Sequence, residues 1–147
     1  MWQFNTSFTW QPEHDERGGA AAGHGTTDIL VTPPADLGGK PGFWTPEDLL
    51  VSAVESCMLM TILSVVKKQR ITLKAYRSEA TGTMAKTPEG LRITGIEIRI
   101  AATMGSPEEV EKMQRAVQMA ERYCPVSAAV SCPVHVTVLA TAAAGPV

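Results

Sequence analysis

The chain has 147 residues, 44% of them hydrophobic, with 13 basic against 15 acidic side chains and a formal net charge of -2. That length suits one domain able to bury a core, and a single domain over residues 1–147 is expected. The absence of a basic block with interleaved aromatics gives nucleic-acid binding no electrostatic footing.

The start, Met1-Trp2-Gln3-Phe4, lacks a basic region followed by an apolar run, so no secretory signal is expected. With three cysteines, the expectation is a reducing, cytoplasmic setting rather than a disulfide framework. Trp2, Phe4, Phe8 and Trp10 alternate with Gln3, Asn5, Ser7 and Thr9, which predicts a half-buried strand ending at Pro12. Residues 13–19 form a polar turn. Ala20 to Thr27 is small and expected to be flexible. Ile29-Leu30-Val31 is a short strand, and Pro33-Pro34 and Gly38-Gly39 mark a loop.

Residues 45–66 dominate the chain. Thr45 is a helix cap, Pro46 fits the first turn, and Asp48 completes a short-armed capping box. Leu49, Leu50, Ala53, Val54, Cys57, Met58, Thr61 and Val65 recur at helical steps, while Val51, Leu59, Ile62 and Val66 cover other faces. Such a helix is expected to be buried. Glu55 and several small polar residues argue against a membrane span. Lys67, Lys68 and Arg70 close the helix with favourable charge.

Ile71 to Thr83 reads as a strand, Lys86 to Gly90 as a turn, and Leu91 to Met104 as the returning strand. Its apolar alternation slips between Ile93 and Ile96, which predicts a bulge near Gly95. Ser106-Pro107-Glu108-Glu109 repeats the capping pattern of the first helix. Val110, Met113, Val117 and Ala120 then form an amphipathic stripe that reaches Cys124. Val126 to Val130 extends as a short helical turn, Pro133 to Ala140 is a last strand, and Ala142 to Val147 a frayed tail. The order implies an α+β fold in which sheet covers two helices. One sheet cannot cover every side of the first helix, so an obligate homodimer is expected.

No phosphate-binding glycine motif is present, and His14, His24 and His135 share no zinc spacing with the cysteines. No cofactor or metal is expected. His14 and His24 read as loop residues and His135 as the polar side of a strand. Cys57 and Cys124 lie on apolar faces of two helices. They are either small buried hydrophobes or a dithiol pair, and the residues alone leave both open. A thiolate there needs a positive partner. Arg17 is the one arginine before Arg70, and Glu47 is placed to orient it. Ten residues separate Glu47 from Cys57, about 15 Å of helix, so the two cannot touch within it. Cys132 reads as a structural thiol, or as a third cysteine able to capture Cys124.

The segment Thr45-Pro46-Glu47-Asp48-Leu49-Leu50, with Ala53-Val54-Glu55-Ser56-Cys57, resembles the first signature of the OsmC/Ohr family. Tyr123-Cys124-Pro125-Val126-Ser127 resembles the second, and Pro34 to Gly39 the loop that precedes the helix. The resemblance implies an OsmC-like fold, an antiparallel sheet wrapped on two central helices in an intertwined dimer. It implies a peroxidase that turns organic or lipid hydroperoxides into alcohols, with Cys57 peroxidatic, Cys124 resolving, and Glu47 and Arg17 assisting. The external reductant it implies is a dithiol, a lipoylated protein or dihydrolipoamide, with no nucleic acid or membrane as partner. Glu55 departs from the family pattern, and its spacing from Cys57 points it elsewhere. A non-catalytic dimer binding a small apolar ligand, or a thiol-based redox sensor, are the rival readings.

Overall fold

A computed structural model describes residues 1–23 and 25–144; the reading of His24 and the last three residues of the expected tail lie outside them. The chain divides into two compact units, residues 1–50 and 51–147.

The first unit holds β1 (Thr6–Trp10), β2 (Gly19–Gly23) and β3 (Ile29–Val31) as an antiparallel sheet in the order β1-β2-β3. The stretch expected to be flexible is thus the sheet's middle strand. Its small side chains are what admit a close neighbour: a Cβ at Gly19 would lie 2.9 Å from the Phe8 ring. The aromatic strand forms only over Thr6–Trp10, leaving Trp2 and Phe4 before it, and is not half-buried, since Phe8 and Trp10 remain 56% and 64% exposed. Beyond it, Asp15 is buried and ties the turn together, accepting from the Arg17 and Lys40 backbone N–H groups at 2.9 and 2.8 Å. Those two N–H groups, opposed by some desolvation, hold its carboxyl below the usual range.

The central helix, α1 (Pro46–Lys68), starts as the capping pattern requires. Asp48 N–H donates to Thr45 Oγ1 at 3.0 Å, and Thr45 N–H to Asp48 Oδ2 at 3.0 Å. By length and composition α1 could cross a membrane, with a mean hydropathy of 2.1 over an 18-residue window. Yet Val54, Met58, Ile62, Val65 and Val66 form one buried stripe in the core. The all-round burial expected from composition is not found: Met60 and Leu63 are 65% and 42% exposed.

In the second unit β4 (Leu73–Thr87) and β5 (Gly90–Met104) form a long antiparallel hairpin. Thr83 pairs with Gly95 and Met84 with Ile93, leaving Thr94 as the extra residue of the expected bulge. The bulge moves Ile96, Ile98, Ile100, Ala102 and Met104 onto one buried face. Next come α2 (Glu108–Tyr123), α3 (Pro125–Ala129) and β6 (Val134–Ala142). β6 pairs parallel to β5, a departure from the antiparallel sheet expected. The α2–α3 crossover is what allows it, because it returns the chain to the end of the sheet where β5 began. Met113, Ala116, Val117 and Ala120 bury the stripe of α2. Its cap differs from that of α1: Ser106 Oγ donates to Glu109 Oε2 at 3.4 Å, while Glu109 Oε1 accepts from Thr72 N–H at 2.8 Å.

Candidate functional site

Cys57 sits midway along α1, one residue from the fully buried Met58 and half-buried itself. Cys124 is both the last cap of α2 and the residue before α3, and only 1% exposed. Pro125 forces this arrangement. It cannot continue the N–H ladder of α2 but fits the first position of a new helix, so the chain turns at Cys124. The turn brings the two thiols within hydrogen-bonding reach of one another. All three cysteines are free thiols.

The surroundings treat the two sulfurs differently. Burial pushes the Cys57 thiol up, the adjoining Cys124 adds to that, and the Val126 N–H opposes it. Thr61, one helical turn on, donates its hydroxyl to the Cys57 carbonyl at 2.9 Å and stands within reach of the sulfur. Burial also opposes ionisation of Cys124, but there it is outweighed. The Ser127 hydroxyl and N–H, the Cys57 thiol and the Val126 N–H together bring the Cys124 thiol below its ordinary range. The surroundings thus disfavour the thiolate at Cys57 and favour it at Cys124. Cys57 is the less buried of the two, and so the sulfur that a solute can meet.

Glu55 does face away from the thiols. Its Oε1 accepts from Ser78 Oγ of β4 at 2.6 Å, on the side where the Tyr76 hydroxyl is buried without a partner. A cavity of about 190 Å3 is lined by Met58, Glu121, Ser127, Ala128, Val134 and Val136, and so shares Ser127 with the surroundings of Cys124. Burial raises the Glu121 carboxyl, with His135 working against it. Sequence reasoning missed Thr61, Ser127 and the Val126 N–H as sulfur partners. Ser127 stands within the second signature, whereas a backbone N–H leaves no compositional trace.

Arg17 and Glu47 belong to the first unit, and no bond joins them there among the described residues. The Arg17 guanidinium instead donates to Leu37 O at 2.6 Å. One oxygen of Glu47, Oε2, is buried without a hydrogen-bond partner. His14 lies in a turn, and His135 is exposed on the outer side of β6. Cys132 packs beside the core near Val130 and Val134. No three metal-ligating side chains converge among the described residues.

Against known proteins, the family model described as OsmC-like protein matches residues 38–139. An OsmC-like protein of unknown function from Vibrio cholerae has a similar structure, with a TM-score of 0.85 at 19% identity over 95% of this chain and 100% of that one. An organic hydroperoxide resistance protein from Legionella pneumophila superposes with a TM-score of 0.71 at 21% identity over 97% and 98% of the chains. Another, from Elizabethkingia anophelis, gives 0.72 at 20% identity, again over 97% and 98%. No curated protein matches the chain by sequence.

Proposed function

This chain belongs to the OsmC-like protein family, and on that premise we propose that it is a thiol-dependent peroxidase acting on organic hydroperoxides. The observation that carries the reading is the pair itself: an accessible Cys57 in contact with a buried, anion-favouring Cys124. Structural cysteines have no need of two helices that converge on their sulfurs, nor of hydrogen-bond donors aimed at one of them.

In the proposed reaction Cys124 takes the proton of Cys57, and the Cys57 thiolate attacks the distal peroxide oxygen. The O–O bond breaks, Cys57 becomes a sulfenic acid, and the departing alkoxide takes up a proton to leave as the alcohol. The Cys124 sulfur then displaces hydroxide from Cys57, which leaves as water, and a Cys57–Cys124 disulfide remains. An external dithiol reduces it by exchange, becoming a disulfide in its turn. A lipoylated protein or dihydrolipoamide fits that role, in a cytoplasmic setting. Arg17 and Glu47 enter through the family resemblance of their positions, as residues that favour the Cys57 thiolate. The assembly proposed is a homodimer, supported by the apolar surface that α1 leaves exposed at Leu50, Met60 and Leu63.

The test is steady-state turnover of cumene hydroperoxide with dihydrolipoamide, run beside Cys57→Ser. Turnover lost by at least a hundredfold in the variant supports the reading. Equal rates with and without Cys57 would sink it.

A further inference from the structure

The face of α1 that carries Cys57 continues into a second cavity. It holds about 440 Å3 and is lined by Thr61, Ser64, Val65 and Lys68 of α1, by Gln69 just after it, and by Met119 and Tyr123 of α2. Thr61 bonds the Cys57 carbonyl and stands within reach of the Cys57 sulfur, so the cavity begins about one helical turn from that thiol. Positions 57, 61, 64, 65 and 68 follow the helical repeat. Lys68 thus shares the direction of Cys57 to within about 20°, about 16 Å farther along the axis. The walls between them are the Val65, Met119 and Tyr123 side chains together with the Thr61 and Ser64 hydroxyls.

Lys68 is the single charged residue of that lining, and no carboxylate pairs with it among the described residues. The carbonyls at this end of α1 do not compete for it. Those of Val65, Val66 and Lys67 already accept from the N–H groups of Gln69, Ile71 and Arg70, in a left-handed cap with Arg70 at φ 54°. A mainly apolar trough that begins about one helical turn from the Cys57 thiol and ends on an unpaired ammonium suits an amphiphile with its anionic group far from its reactive one.

We propose that Lys68 is a specificity-determining residue that binds the carboxylate of a long-chain hydroperoxide, whose chain lies along this cavity toward Cys57. The inference rests on the peroxidase reading and names its substrate class. An extended chain advances about 1.25 Å per carbon for bonds of about 1.5 Å, so 16 Å of helix separates the two groups by roughly a dozen carbons.

The experiment compares kcat/KM for linoleic acid 13-hydroperoxide and for its methyl ester, both below micellar concentration. The wild-type protein should favour the acid by roughly five-fold, the size expected of one partly exposed ion pair. Lys68→Met should bring the ratio to about one and Lys68→Arg should keep it, as should Lys67→Met on the neighbouring exposed lysine. An unchanged ratio in Lys68→Met overturns the proposal, while Cys57-dependent cumene hydroperoxide turnover would leave the peroxidase reading standing. Equilibrium dialysis of tetradecanoate decides the matter without turnover: weaker binding by Lys68→Met supports the anchor, and equal binding removes it.

Discussion

At Cys57 and Cys124 the same apolar setting gives opposite results, because burial acts on both sulfurs but hydrogen-bond donors favour one. Each sulfur also perturbs the other, and the two variants should move in opposite directions. Cys57→Ala removes a donor to Cys124, so the Cys124 thiolate should form at higher pH than in the parent. Cys124→Ala removes a neighbour that raises Cys57, so the Cys57 thiolate should form at lower pH. Thiolate absorbance followed against pH in Cys132→Ser backgrounds measures both. Shifts of the same sign in the two variants would refute the assignment of the charge. This asymmetry could not be read from Cys57 or Cys124 in the sequence, since its causes are a serine hydroxyl and backbone N–H groups placed by a helix start. The pairing of two apolar-face cysteines was legible as an option, and the outward aim of Glu55 followed from its two-residue offset.

Among the elements, α1 and β4 meet more closely than side chains alone would allow. A Cβ on Gly82 would lie 2.5 Å from Val51 Cγ2, so the helix uses the missing side chain as its seat, two strand repeats from Ser78, which holds Glu55. Gly82→Val should therefore cost about 1–3 kcal/mol by overpacking. Adding Val51→Ala should restore part of that loss, because the clash is then removed. Urea unfolding of the four proteins checks it, and strictly additive losses would mean that the two residues do not press on each other. Element types and the Thr94 bulge were legible, since period, capping residues and a phase slip are local signals. The β2 strand was not. Its Gly-Ala-Ala-Ala-Gly run has no side-chain pattern, and the neighbouring backbones of β1 and β3 impose its conformation.

For the whole molecule the question is what meets the apolar residues that one chain leaves exposed. Leu50, Met60 and Leu63 on α1, with Trp2, Phe4 and Phe8 at the start of the chain, are more than solvent ordinarily faces. The proposed homodimer makes a kinetic prediction. Peroxidase activity per subunit should fall on dilution through the concentration at which sedimentation shows dimers separating. Constant specific activity across that range would mean that one chain is sufficient.

The sequence by itself determined the α+β class, the helix starts and stops, the bulge and the two signature cysteines. Each is written in spacing along the chain, through helical and strand periods, capping side chains and proline's missing N–H. Only the tertiary structure decided that β6 runs parallel to β5, that α1 buries one stripe and leaves others exposed, and that charge favours Cys124 over Cys57. Those outcomes depend on which distant groups arrive beside a residue, and desolvation, packing and hydrogen bonding act through space rather than along the chain.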